Sequence, residues 1–479
     1  MQKNIAMIIG RKKEQSDLLR LVESDEPQFC AVYGRRRVGK TYLIRETFGY
    51  KFTFQHVGVA NASMKRQLSA FRNSLRDAGL ENCNLPKDWF DAFEMLQRLV
   101  EQSSDRKKII YLDELSWMDT PKSNFISALE HFWNGWATAR AEKDIVLIVC
   151  GSATSWIVNK IMKNRGGLHN RLTESILVQP FTLSECEQYV QVQDIPMSRK
   201  DIVEAYMALG GIPYYWSLMR RGESLAQNMD RLFFADDGKL RNEFEELYAS
   251  LFKRPETYIA IVEALATKKI GMSRDEVSAM SGVENSGMLT KILEDLEQCG
   301  FIRRYQAFDK KKYGATYQLI DNFTLFYYRF LRVVDAVAIG YWSSAIDWPE
   351  ISAWKGLAFE RVCLWHIPQI KKSLGISGIV SSEYSWRTSA TDEHDGAQID
   401  LLIDRNDNVV NVCEIKFSSD EFSITKSVEQ GLRRKLSVFK QVSATRKSIH
   451  LTLITTYGVQ RNEYSNLMQS QITMDDLFC

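Results

Sequence analysis

Gly34-Arg35-Arg36-Arg37-Val38-Gly39-Lys40-Thr41 is the stretch that decides the fold. It fits the spacing G-x4-G-K-[ST] and lies between an apolar run ending at Tyr33 and a helical run beginning near Lys40. In that setting the glycines let the backbone turn its N–H groups toward phosphate oxygens, and the next helix adds the partial charge of its N-terminus. The loop, with Gly34, Arg35, Arg36, Arg37, Val38 and Gly39, is expected to cradle the phosphates of ATP. Lys40 is expected to reach the β- and γ-phosphates, and Thr41 to hold Mg²⁺.

Working outward, Phe29–Tyr33, Phe52–His56, Lys108–Leu112 and Ile145–Cys150 read as strands, nearly continuous in apolar residues as strands buried on both faces are. Ser63–Leu80 and Trp89–Gln102 between them carry helical spacing. This alternation predicts an α/β fold with a parallel sheet and crossover helices over residues 1–180. Ile109–Glu114 is an apolar strand ending in two acids, which sets Asp113 near the metal shell and Glu114 where it can polarise water. Ser152, after the strand Ile145–Cys150, is either a γ-phosphate sensor or an ordinary loop residue. Arg171 is either an arginine finger, in cis or in trans, or one more surface arginine.

The remainder is read as further domains, since 479 residues are too many for one compact core. Residues 181–250 look helical, broken at Gly210-Gly211-Ile212-Pro213. Residues 251–322 hold two or three short helices (Pro255–Ala266, Ser273–Met280, Gly287–Cys299). The strands Phe301–Phe308 and Thr316–Ile320 follow, joined by the basic turn Asp309–Gly314. Helices ending in a two-stranded basic wing spell a winged helix-turn-helix. Arg303, Arg304, Lys310, Lys311 and Lys312 suit contact with phosphates, not readout of bases. The acids Glu294, Asp295 and Glu297 on the candidate recognition helix would be poor company for a DNA groove if they faced it. Residues 323–349 read as a helical connector.

From residue 350 the pattern is helix, strands, helix, strand, a second small α/β domain. Gln398–Ile403 and Val409–Lys416 are apolar strands joined by a turn at Asn406-Asp407-Asn408. Asp400, Glu414 and Lys416 thereby point into one region, with Glu414 and Lys416 on the same face of their strand. Two carboxylates, Asp400 and Glu414, can hold a divalent metal, and an adjacent lysine can orient or deprotonate the attacking water. Glu360, early in the preceding helical run, is a candidate third carboxylate. The bland alternative is a surface ion pair on a strand. His394 and Asp395 read as loop residues.

The N-terminal half resembles the archaeal-type AAA+ ATPases related to the signalling STAND NTPases. The resemblance rests on Ile9-Gly10-Arg11…Glu14, Gly34–Thr41, Tyr111–Glu114, Gly151–Ala153, Leu168–Arg171 and Gly210–Tyr214. It implies that Gly10 and Arg11 lie near the adenine and that residues 181–250 form a helical lid. Glu360…Asp400…Glu414-x-Lys416 resembles the PD-(D/E)xK restriction-endonuclease-like signature, with the proline-aspartate element reduced to Ile399-Asp400. Glu429–Phe439 is similar to the helix that often follows it, which makes Gln430 and Lys435 candidate phosphate contacts. Together these imply an ATPase coupled to a metal-dependent nuclease acting on DNA. The rivals are a non-cleaving ATP-switched regulator and a protein-remodelling ATPase.

Composition narrows the classes. A net charge of +2 supplies no global field for nucleic acid. Eight cysteines without a CxxC pair argue against zinc and disulfides, and fit a reducing cytoplasm. No apolar run approaches membrane-spanning length. A cytoplasmic protein is expected, with homo-oligomerisation required if Arg171 acts in trans.

Overall fold

The structure is a computed structural model that describes residues 8–164, 166–168, 170–305, 308, 315–333, 340–392 and 394–479. It divides into two compact units, Met1–Pro180 and Phe181–Cys479.

In the first unit the described strands are β1 (Gln28–Tyr33), β2 (Phe54–Val57), β3 (Lys108–Asp113), β4 (Ile145–Gly151) and β5 (Glu174–Leu177). They form a parallel sheet in the order β2-β3-β4-β1-β5. Every residue of β4 is buried, as a central strand covered on both faces requires. The helices Met64–Asp77, Trp89–Gln102 and Phe125–His131 supply much of one core. Phe71, Trp89, Phe93 and Phe125 meet there, with the Trp89 and Phe125 rings 4.9 Å apart, edge to face. Asp88 starts the helix Trp89–Gln102 by accepting the Asp91 N–H, an N-cap at the expected boundary. Because β1 and β3 both flank β4, the loops after these three strands leave from the same sheet edge. Edge strand β5 was not foreseen: it is four residues long and buries only Ile176.

The second unit begins with helices Leu183–Val192, Arg199–Leu209, Pro213–Trp216, Leu225–Met229 and Glu243–Leu251, as the helical pattern predicts. Helices Pro255–Ala266, Arg274–Ser281 and Gly287–Gln298 follow. With them goes a small antiparallel sheet of β6 (Met272–Ser273), β7 (Ile302–Tyr305) and β8 (Thr316–Leu319), in the order β6-β8-β7. The basic turn, Asp309 with Lys310, Lys311 and Lys312, lies outside the described residues, as do residues 334–339 of the connector. Arg303 departs from expectation. It is half-buried, its guanidinium lies 5.3 Å over the Tyr305 ring, and burial lowers its pKa.

The C-terminal sheet joins β9 (Ser381–Thr388), β10 (Ala397–Arg405), β11 (Val409–Lys416), β12 (Ser448–Thr455) and β13 (Ser470–Thr473) in the order β13-β12-β11-β10-β9. The β9-β10-β11 pairs are antiparallel and the β11-β12-β13 pairs parallel. The helix Lys426–Ser443 crosses between β11 and β12 and buries Leu432, Val438 and Phe439 against the sheet. The long helix Pro349–Trp365 ties this sheet to the unit's first helices. Lys355 pairs with Glu204 at 2.9 Å. Fully buried His366 accepts the Leu183 N–H at Nε2, 2.9 Å away, and donates from Nδ1 to the Val362 carbonyl at 2.7 Å. Seven of the eight cysteines are buried and Cys479 is exposed. Among the described residues no helix is long and apolar enough to cross a membrane.

Candidate functional site

The loop after β1 is shaped by backbone that only particular residues tolerate. Gly34 sits at φ 142°, where a Cβ would lie 2.4 Å from the Val178 carbonyl oxygen. Arg37 and Gly39 take φ 69° and 89°, and Val38 and Arg35 are buried under the loop. Arg36 is half-buried. Lys40, first residue of the helix Lys40–Thr47, folds back to donate to the carbonyls of Gly34 and Arg35, each at 2.9 Å. Its ammonium is therefore held within the loop that was expected to cradle phosphate.

Thr41 Oγ1 donates to Asp113 Oδ2 at 2.8 Å, while the other Asp113 oxygen accepts the Glu114 N–H at 2.9 Å. A hydroxyl and a carboxylate from loops far apart in sequence thus stand together, hard oxygen donors of the kind Mg²⁺ prefers. Glu114 takes a left-handed backbone at φ 48°. Its Oε2 accepts from the Ser152 hydroxyl at 3.0 Å and from the Ser152 N–H at 3.4 Å. This Glu114–Ser152 pair is a contact that sequence spacing did not reveal. Gly10 and Arg11 precede the helix Lys12–Glu23 with φ of 61° and 57°, and Arg11 donates to the Gln179 carbonyl. Arg171 is exposed.

The second candidate site lies on the C-terminal sheet. Leu401 stands opposite Cys413, so Asp400 and Glu414 fall at the next position of the β10–β11 ladder. Glu360 comes from the helix Pro349–Trp365. The three carboxylates alternate with three ammonium groups. Lys269 Nζ lies 2.6 Å from Glu360 and 4.0 Å from Asp400. Lys416 Nζ lies 2.8 Å from Glu414, and Lys435 Nζ reaches both Glu414 oxygens at 2.8 and 2.9 Å. Burial and the neighbouring Asp400 push Glu360 up to about 7. Burial and Glu414 raise Asp400. At Glu414, burial is outweighed by Lys416 and Lys435, which hold it below the ordinary glutamate value.

Two expectations change here. Among the described residues no three His, Cys, Asp or Glu side chains are arranged to hold a metal ion. The carboxylate expected as a third ligand, Glu360, is turned to Lys269, which leaves the Asp400–Glu414 pair. Lys435, expected on phosphate, is spent on Glu414, while Gln430 is exposed. Lys269 and Lys435 were missed as members because their partners lie 91 and 21 residues away, with no local signal. His394 and Asp395 sit in a loop, with Asp395 3.9 Å from Arg434.

A parallel α/β sheet whose first strand leads into a phosphate-type loop, with Thr41 hydrogen-bonded to Asp113, is the arrangement typical of P-loop ATPases. Residues 8–219 match the family described as an ATPase domain predominantly from Archaea. An uncharacterized protein of Methanocaldococcus jannaschii is 24% identical over 437 residues, covering 90% of this chain and 92% of its own. Among solved structures, the Walker-type ATPase of Pyrococcus abyssi is similar with a TM-score of 0.49 at 18% identity, over 66% of this chain and 95% of that one. The ORC2 protein of Aeropyrum pernix, in its ADPNP–ADP complexes, gives 0.38 at 14% identity, over 66% and 90%. Residues 8–219 of the chain are therefore similar to an archaeal-type ATPase domain, and a separate mixed sheet stands C-terminal to them.

Proposed function

We propose that this chain is an ATP-hydrolysing switch joined, through a winged helix, to a metal-dependent nuclease-like domain that acts on DNA. In the ATPase site Lys40 binds the β- and γ-phosphates, Thr41 and Asp113 hold Mg²⁺, and Glu114 orients the attacking water. Ser152 then serves as the partner that restrains Glu114, a role supported by their 3.0 Å hydrogen bond. Gly10 and Arg11 border the adenine, and Arg171 is the candidate finger, acting across a homo-oligomer if in trans.

The observation that carries the nuclease reading is the meeting of Asp400, Glu414 and Lys416 on adjacent strands with Glu360 at their side. Asp400 and Glu414 offer the hard oxygens Mg²⁺ requires, and the repulsion that raises Asp400 is one a dication relieves. Bound there, the ion supplies Lewis-acid stabilisation of a phosphodiester. Lys416, fixed by Glu414, donates hydrogen bonds to an incoming water or phosphate oxygen.

The test is divalent-metal-dependent cleavage of plasmid, linear and single-stranded DNA, with and without ATP. Wild type is compared with Asp400→Ala, Lys416→Ala and Lys40→Ala. Cleavage should vanish in the first two, and the effect of ATP should vanish in the third. Two observations favour a second reading, a non-cleaving ATP-switched regulator. Lysines already pair with Glu360 and Glu414. The exposed face of the helix Gly287–Gln298 carries Glu294 and Glu297 against Lys291. DNA binding and ATPase activity without cleavage of any substrate would establish that reading instead.

A further inference from the structure

Of the three ammonium groups among the site carboxylates, Lys416 stands on β11 and Lys435 on the helix that follows it. Lys269 arrives from elsewhere: it lies in the short loop between the helix Pro255–Ala266 and β6. That loop is fastened at three points. The Lys269 carbonyl accepts from Gln318 Nε2 at 2.8 Å and from Arg361 Nη2, and the Ile270 carbonyl accepts from the Tyr305 hydroxyl. Gln318, Tyr305 and Arg361 are all buried. Gly271, at φ 88°, has no room for a side chain, since a Cβ would lie 2.5 Å from the Tyr317 carbonyl oxygen. The backbone therefore sets the ammonium in place. Arg361 also follows Glu360 directly, so one turn of helix supplies both the anchor of the loop and the counter-ion of its lysine.

We propose that Lys269 is a tethered cation that competes with a divalent ion for the Glu360–Asp400 side of this site, so that the loop it stands on sets the metal affinity. The proposal rests on the reading above that Asp400 and Glu414 hold a divalent ion. The physical reason is charge. An ammonium 4.0 Å from Asp400 repels a dication that shares the same oxygens. The helices and sheet that carry the loop thereby control loading of a site built on another sheet.

Calorimetric titration of Mn²⁺ into the metal-free full-length protein tests this without any assay of cleavage. K269Q should bind Mn²⁺ about tenfold more tightly than wild type, while K269R, which keeps the charge, should stay near wild type. D400N and the double variant K269Q/D400N should lose the heat of binding. K269M keeps the apolar stem of the lysine and answers the same question if thermal melts show that K269Q is unfolded. Equal Mn²⁺ affinity in wild type and the neutral variants, with D400N still abolishing it, overturns the role of Lys269 and leaves the metal site standing. Absence of Mn²⁺ binding in wild type and in both neutral variants overturns the proposal and the metal site together.

Discussion

Glu360 keeps its proton far longer than a free glutamate does, and this has a thermodynamic sign. Its value in the folded protein is about 7 against an ordinary 4.5, with burial as the first cause and Asp400 as the second. Between those two values the native state binds more protons than the unfolded chain, so this group's contribution to stability falls as pH rises from about 4.5 to about 7. Glu360→Gln removes the titration while keeping the shape. In metal-free buffer its melting temperature should decline less across that window than the wild type's, as measured by thermal melts at half-unit pH steps. The residue types of the site were legible from the sequence, because Glu414 and Lys416 share a strand face and Asp400 lies in the neighbouring apolar strand. Their partners were not. Lys269 is tied to Glu360 by packing between elements 91 residues apart, and the bond from Ser152 to Glu114 joins two separate strand ends.

At the scale of elements, the loop after β1 is held against the chain that follows β5. Gly34→Ala would place a Cβ 2.4 Å from the Val178 carbonyl, at a φ of 142° that side chains rarely adopt. A loss of at least about 2 kcal/mol is expected, read from urea denaturation of the variant, together with weakened nucleotide binding. The strands that surround this loop could be read in advance because burial on both faces writes them as unbroken apolar runs. Edge strands leave no such trace. In β5 only Ile176 is buried, and β9, Ser381–Thr388, is mostly half-exposed and rich in serine, so both look like loop in sequence. Arg303 shows the converse error. A cation beside a predicted basic turn looked solvent-facing, yet the pleat turns it inward over Tyr305.

Across the whole molecule, the second unit is interlocked from its first helix to its last. His366 joins the start of the helix Leu183–Val192 to the end of the helix Pro349–Trp365, and Arg199 pairs with Asp475 at 3.2 Å. Sequence boundaries suggested a lid, a winged helix and a terminal domain in series, and no periodicity could have shown that one imidazole bridges the first and last of them. His366→Ala leaves the buried Leu183 N–H without its acceptor and should cost about 1–3 kcal/mol, plus the lost packing, in chemical denaturation. The wild-type histidine is depressed to about 4 by burial, so its contribution is present above pH 6.5 and fades as pH falls toward 4.

The distribution of thiols gives this chain a handle for spectroscopy. With seven sulfhydryls sealed in the interior and Cys479 alone in solvent, a maleimide dye has one address on the native fold. That address adjoins Phe478, over which the Arg199 guanidinium sits at 4.8 Å, so the fluorophore would report whether this turn stays seated when ATP is added. No cysteine need be engineered out first.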